Sequence, residues 1–340
     1  MRKIRVLVVE DSIVFRGLLV KGLGADPGIE VVAQAGNPFE AKEAIEKYRP
    51  DVMTLDIEMP KMNGIDFLKK LMPQYPMPVV MLSGLDDKVF EAMAAGAVDF
   101  VHKPTNMARD NVNEFIRQEL IAKVKIAATV DVRKLRRSET VRLSRKTRLS
   151  NTNCVIAIGA STGGTEAIYE VIKQFHTDIP GVVIVQHMPA GFTKMYAERM
   201  NRLCEVEVRE AVNGDEIKQG QVLIAPGAHQ MRVVKHGGKY YVEVKEGPKV
   251  SGHCPSVDVL FDSVASAVGE DAIGVILTGM GGDGSKGMKE MRDNGAITIG
   301  QDEETCVVYG MPRVAYDIGA VMHQMPLDEI ANKVYGLLSQ

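Results

Sequence analysis

Short, mostly apolar runs recur through the first part of this chain, separated by stretches of helical patterning. They are Ile4–Val9, Val31–Ala33, Val52–Leu55, Val79–Leu82 and Val98–Val101. Runs this short, with little polar alternation, fit strands buried on both faces, and such strands belong to parallel sheets. Between them, Asn37-Pro38 reads as a helix start, with Asn as cap and Pro in the first turn. Five strands alternating with helices predict a doubly wound α/β sheet. Its ligands should gather beyond the carboxyl ends of the strands.

The pattern then breaks. Lys123–Thr152 carries ten Lys/Arg against two acids, with no Gly or Pro and only a weak apolar period. It reads as a basic linker, partly helical at its start. A second α/β region begins at Asn153. Cys154–Ile158, Val182–Val185, Val222–Ala225 and Ile273–Leu277 read as strands, and Thr165–Phe175, Ser256–Val268 and Gly284–Arg292 as helices. Met231–Val244 reads as a hairpin turning at Gly237-Gly238. The expected organisation is one doubly wound domain over 1–122, a linker over 123–152 and a second, mostly parallel domain over 153–340. A length of 340 residues, at roughly 150 per domain, agrees with two cores.

Composition excludes several classes. Lys+Arg number 41 and Asp+Glu 44, a net charge of −3, which suits neither a globally basic nucleic-acid binder nor an acidic disordered chain. Aromatics are 5% with no Trp, against a stacking platform for single strands. Cys154, Cys204, Cys254 and Cys306 form no CxxC pair, so a zinc ribbon or redox motif is not expected, and sparse cysteines suit a reducing compartment. No apolar run approaches the ~18 residues of a span, and the apolar stretch before Glu10 is too short for a signal-peptide core. A cytoplasmic monomer without membrane insertion or nucleic-acid partner is expected.

Each strand end of the first domain carries a reactive group, except the second. Glu10 and Asp11 follow the first strand, Asp56 the third, Ser83 the fourth and Lys103 the fifth. Any one of them alone is a solvated cap. Together in one crevice, three carboxylates repel and call for a cation, and Mg²⁺ fits oxygen ligands. Asp56 would then be a nucleophile towards a phosphoryl group, with Lys103 adding positive charge and Ser83 a hydroxyl donor. The text Val8-Val9-Glu10-Asp11-Ser12, Leu55-Asp56-Ile57-Glu58-Met59-Pro60, Asn63-Gly64, Ser83 and Lys103-Pro104 resembles a response-regulator receiver domain. The resemblance implies a flavodoxin-like fold and phosphorylation of Asp56 by a partner histidine kinase. It implies Mg²⁺ held by Glu10, Asp11, Asp56 and the Glu58 carbonyl. It also places a switching aromatic at Phe100. Glu10-Asp11 stands where an Asp-Asp pair is more frequent.

In the second domain, Gly159-Ala160-Ser161-Thr162-Gly163 runs from strand to helix as G-x-S-x-G. Such a turn either exposes a nucleophilic Ser beside helix amides or merely lets helix and strand pack closely. A dinucleotide site would want an acid ending the next strand, but that strand ends in Gln186-His187-Met188-Pro189, and no Walker Lys follows the glycines. His187 is therefore the natural general base. His229 and His253 lie on loops that could line the same cleft. Asp283, in Thr278-Gly279-Met280-Gly281-Gly282-Asp283-Gly284, is either a helix cap or the acid that orients His187. The order Ser–His–Asp differs from the Ser–Asp–His of α/β-hydrolases, so that fold is not expected. Cys254 is a rival nucleophile.

Gly159–Gly164, Gln186–Pro189, Ile224-Ala225-Pro226-Gly227, Pro255-Ser256-Val257-Asp258 and Thr278–Gly284 resemble the catalytic domain of the chemotaxis protein-glutamate methylesterases. Cys254 replaces the basic residue frequent before Pro-Ser-Val-Asp. The resemblance implies removal of methyl groups from glutamate esters of bacterial chemoreceptors and deamidation of selected receptor glutamines. Ser161, His187 and Asp283 would be the catalytic triad, the backbone amides near Thr162 and Met280 the oxyanion hole, and no cofactor would serve the ester chemistry. A DNA-binding response regulator is the alternative that the basic segment supports, although no small helix-turn-helix pattern follows it.

Overall fold

The apolar runs of the first domain become β1 (Ile4–Val9), β2 (Ile29–Ala35), β3 (Val52–Asp56), β4 (Val79–Ser83) and β5 (Asp99–His102). The computed structural model describes residues 2–60, 62–84, 87–132 and 154–339, in two units within Met1–Arg136 and Arg137–Gln340. The five strands pair in parallel in the order β2-β1-β3-β4-β5. Helices α1 (Ile13–Gly24), α2 (Pro38–Tyr48), α3 (Gly64–Leu71), α4 (Lys88–Ala94) and α5 (Arg109–Phe115) follow the strands in turn. Local chemistry starts them. The Asn37 side chain accepts the amides of Phe39 and Glu40 with Pro38 in the first turn, and Ser12 and Asn63 cap α1 and α3 in the same way. Strand β1 has neighbours on both sides, so the sheet reverses its direction of growth there. That reversal opens a crevice beyond its carboxyl end.

From α5 the helical run continues through a π-helical turn, Ile116–Leu120, into α6 (Ile121–Ala127). Ile116, Leu120, Val124 and Ala127 form one fully buried stripe. Lys123 Nζ pairs with Asp99 at 2.6 Å and Lys125 Nζ with Asp26 at 2.7 Å. The expected boundary between residues 122 and 123 thus falls inside this run, because the apolar spacing carries on past it. Two lysines counted towards the basic linker serve the first unit. Residues 133–152 of the expected linker, and residue 153 after them, lie outside the described residues.

The second unit contains β6 (Val155–Ala160), α7 (Gly164–Ile172), β7 (Gly181–Gln186), α8 (Phe192–Leu203), β8 (Glu207–Glu210), β9 (Gln221–Ile224), β10 (Gln230–His236) and β11 (Lys239–Lys245). It continues with α9 (Val257–Ala267), β12 (Ala272–Ile276), α10 (Ser285–Asp293), β13 (Ile297–Gln301), α11 (Met311–Asp317), β14 (His323–Met325) and α12 (Ile330–Leu338). Seven strands pair in parallel in the order β14-β13-β12-β6-β7-β9-β8. Strands β10 and β11 form a separate antiparallel hairpin around Gly237-Gly238. The edge strands β8 and β14 escape an apolar-run search because one flank needs no apolar cover. The inner strand β13 escapes it because Thr298 interrupts the run and hides its hydroxyl on the Ala320 carbonyl. No helix among the described residues is long and apolar enough to cross a membrane.

Strand β6 lies between β12 and β7, so this sheet too has its reversal beside the first strand. Helix α9 packs its start against that point. A Cβ on Gly284, whose φ is +88°, would fall 2.4 Å from Val257 Cγ1. Only glycine accepts both the left-handed backbone and that approach. Val257, Leu260, Phe261 and Val264 of α9 are buried in the main core cluster, together with Met288 and Met291 of α10.

Candidate functional site

In the first unit the crevice beside β1 collects the expected residues. Glu10, Asp11 and Asp56 bring carboxylate oxygens within 4.8 Å of one another. Lys103 Nζ lies 2.7 Å from Asp56 Oδ1 and 2.9 Å from Glu10 Oε2. Burial, then the Asp56 charge, pushes the Glu10 carboxyl up to about 7 against the pull of Lys103. Burial likewise raises Asp56, opposed by Lys103 and by the Glu58 amide at 3.2 Å. Lys103 is raised despite burial, because both carboxylates face it. One ammonium against three carboxylates leaves negative charge uncompensated. Such a donor set suits a hard divalent cation. Ser83 is buried and donates to the Gly84 carbonyl at 2.8 Å. Phe100 is buried edge-on to Phe90.

In the second unit Ser161 and His187 stand at equivalent places. Strands β6 and β7 end at the register partners Ala160 and Gln186, and the next residues are Ser161 and His187. The His187 amide donates to Ala160 O at 3.1 Å, and Gln186 Nε2 donates to Ser161 O at 2.9 Å. Ser161 is partly exposed and donates its own amide to Thr278 O. On its other side runs the loop after β12, where a Cβ on Gly279 would lie 2.7 Å from Ser161 Cβ. Glycine at 279 is therefore a condition of the loop's approach. Thr162 follows Ser161 directly, and Met280 follows Gly279.

The same loop delivers Asp283. His187 Nε2 lies 2.7 Å from Asp283 Oδ2, and both side chains are buried. Burial would raise this carboxyl, but the bonds from His187, Ser256 and the Asp258 amide hold it below the usual range. With Nε2 committed as donor, the lone pair of His187 falls on Nδ1. That atom is buried and has no hydrogen-bond partner among the described residues. A histidine held by a carboxylate at one nitrogen and bare at the other, beside a strand-end serine, is equipped to take a proton from a hydroxyl.

Several neighbours have a clearer part here than the sequence assigns them. His253 stacks flat on His187, with ring centroids 3.6 Å apart and planes 8° apart. The sequence places it on a loop that could line the cleft, without a partner. Ser256 donates to Asp283 Oδ1 at 2.7 Å, although the sequence marks it as the start of a helical stretch within a segment of the family resemblance and gives it no role. A Ser before an apolar helical run is the signal available, and it reads as an ordinary cap. His229 turns Nδ1 to the Gly227 carbonyl at 3.1 Å. Cys254 contacts the Gly247 carbonyl, and burial raises its thiol, which opposes the thiolate that a rival nucleophile needs.

Two family models match the chain. "CheB methylesterase" matches residues 156–334 and "Response regulator receiver domain" residues 6–114. A protein-glutamate methylesterase/protein-glutamine glutaminase 2 of Syntrophomonas wolfei is 56% identical over 342 residues, spanning 100% of this chain and 99% of its own. The protein-glutamate methylesterase/protein-glutamine glutaminase of Syntrophotalea carbinolica is 53% identical over 349 residues, with the same coverage. Among solved structures, the Thermotoga maritima CheB methylesterase catalytic domain is 36% identical with a TM-score of 0.53. It covers 54% of this chain and 98% of that one.

Proposed function

Since this chain belongs to the protein-glutamate methylesterase/protein-glutamine glutaminase family, we propose that it hydrolyses glutamate methyl esters on bacterial chemoreceptors and deamidates selected receptor glutamines. Phosphorylation of Asp56 by a histidine kinase regulates it, and it acts in the cytoplasm as a chemotaxis adaptation enzyme. The observation that carries the chemistry is the His187 ring. Its Nε2 is tied to buried Asp283 and its Nδ1 has no partner among the described residues, at the strand end next to Ser161.

Ser161 Oγ attacks the side-chain carbonyl as His187 Nδ1 takes its proton. Asp283 supports the imidazolium that forms. The amides of Thr162 and Met280, on either side of Ser161, receive the oxyanion. His187 then returns the proton to the departing methoxide, releasing methanol, or to the departing amine, releasing ammonia. Water, activated by the same nitrogen, cleaves the acyl-enzyme to glutamate and free Ser161. An ester leaves more readily than an amide, so methyl ester hydrolysis is the faster reaction.

In the receiver, Asp56 is the phosphoryl acceptor, and Lys103 stays beside it to offset the added charge. Glu10, Asp11, Asp56 and the Glu58 carbonyl would hold Mg²⁺, which would supply positive charge to the phosphoryl oxygens. The uncompensated carboxylates support this donor set.

The test is methanol release from methylated receptor by the Ser161→Ala chain, with Asp56 labelling from acetyl phosphate measured on the same sample. Loss of methanol release by about 10³-fold or more, with labelling intact, is expected for a missing triad nucleophile. Near-normal release would exclude the triad.

A further inference from the structure

We propose that Ser256 is a positioning residue of the hydrolase, its buried hydroxyl holding the Asp283 carboxylate in the orientation that fixes His187. The proposal rests on the reading of Ser161, His187 and Asp283 as the catalytic set.

Ser256 stands at the cap position of α9 yet makes no side-chain bond to the amides of its own helix. The hydroxyl points away from that task and donates to Asp283 Oδ1 at 2.7 Å. Asp283 takes over the cap from outside. Its Oδ2 accepts the Val257 amide at 2.7 Å and its Oδ1 the Asp258 amide at 3.1 Å. With His187 Nε2 on Oδ2, two donors sit on each oxygen, which fills the roughly four lone-pair directions of a carboxylate. Three of the four donors come from the consecutive residues 256–258. Two of them are backbone groups fixed by the helix. The hydroxyl is the one a substitution can remove.

Ser256 is itself held. It is fully buried, and its amide donates to Gln230 Oε1 at 2.9 Å. The other end of Gln230 donates to Pro248 O at 3.0 Å and His253 O at 3.2 Å. One glutamine at the start of β10 therefore braces both the cradle of Asp283 and the segment whose His253 stacks on His187. Without the hydroxyl, Oδ1 keeps a single donor at the longer distance. The carboxylate is then less restrained about its last torsion, and Oδ2 shifts from the plane of the imidazole. Proton transfer would suffer while receptor binding would not, because Ser256 is buried away from any substrate.

A double-mutant cycle on the full-length chain tests this, with kcat and KM measured for methanol release from methylated receptor. Ser256→Ala should lower kcat about 10–100-fold, as loss of a bond to a charged group implies, and leave KM within about twofold. In the Asp283→Ala background the same change should lower kcat by less than about twofold, because its route of action is gone. Equal losses in both backgrounds would mean general structural damage and would overturn the proposal, as would wild-type kcat in Ser256→Ala alone. Wild-type kcat in Asp283→Ala would instead overturn the catalytic set, and the proposal with it. If Ser256→Ala melts below the assay temperature, Ser256→Cys, similar in size and a weaker donor, replaces it in the cycle with the same outcomes decisive.

Discussion

His187 is held from two directions. Asp283 binds its edge at Nε2, and the His253 ring lies flat on its face at 3.6 Å. The edge bond sets which nitrogen carries the lone pair, and the stack limits the tilt of the ring. Aromatic pairs are worth about 0.5–1.5 kcal/mol beyond their burial, or about 2–12-fold in rate if all of it supports the reactive orientation. His253→Ala should lower kcat by about that factor, whereas His253→Phe, which keeps a flat ring, should stay within about twofold. Methanol release at saturating receptor measures both. An alanine variant with full kcat would show that the stack only fills space. Cys254, next along the chain, stands in sequence as a rival nucleophile. Burial raises its thiol, which opposes the thiolate that such a role needs.

Helices α9 and α10 cap each other. Asp283, just before α10, accepts the first amides of α9. Asp258, in the first turn of α9, accepts the Gly287 amide of α10 at 2.9 Å and the Ser251 hydroxyl at 3.0 Å. Each helix start thus finds its acceptor on the other helix, satisfying amides that a helix leaves open. The exchange brings two buried carboxylates close together. Burial first, and the Asp283 charge after it, raise the Asp258 carboxyl, while Asp283 is held low by His187 and Ser256. A group raised in the folded state adds its full stability below the unfolded value near ~3.9 and loses it as pH rises through the folded value. At neutral pH the ionised Asp258 is therefore a burden. Asp258→Asn keeps an acceptor for Gly287 and should raise the melting temperature at pH 7–8, the gain shrinking as pH falls towards ~4. Calorimetry across that range checks it. A gain that grows on acidification would contradict the raised carboxyl.

At the scale of the whole molecule, each unit places its chemistry where a parallel sheet reverses its direction of growth: beside β1 in the first, beside β6 in the second. Where the basic segment offered a DNA-binding output as the alternative, the second unit is built on a seven-stranded parallel sheet and carries the methylesterase match. A phosphoryl acceptor and a hydrolase on one chain matter to each other only if the two phosphorylation states differ in free energy of access to the receptor. We expect acetyl phosphate to raise receptor demethylation by the full chain about 5–150-fold, the range of a coupling of ~1–3 kcal/mol. Asp56→Asn should take up no label and show no rise. A fragment of residues 150–340 should ignore the phosphodonor and outpace the unphosphorylated chain. If the fragment is no faster, the receiver does not restrain the hydrolase, and activation must come by recruitment or direct stimulation.

The strands that matter, and the residues at their ends, were legible in the chain before it folded. Apolar runs at Ile4–Val9, Val52–Leu55, Val182–Val185 and Ile273–Leu277 are local signals, and parallel pairing brings their carboxyl ends together, so Asp56 with Lys103 and His187 with Asp283 could be paired in advance. Terminal edge strands such as β8 and β14 were not legible, because a strand with one open flank need not be apolar. Packing alone reveals which ring nitrogen of His187 Asp283 engages, that Asp283 serves α9 instead of its own helix, and that Ser256 turns its hydroxyl away from the cap it occupies. Capping is read from sequence as a contact three residues long. Here its partners are separated by 25 to 27 residues, so only packing could reveal them.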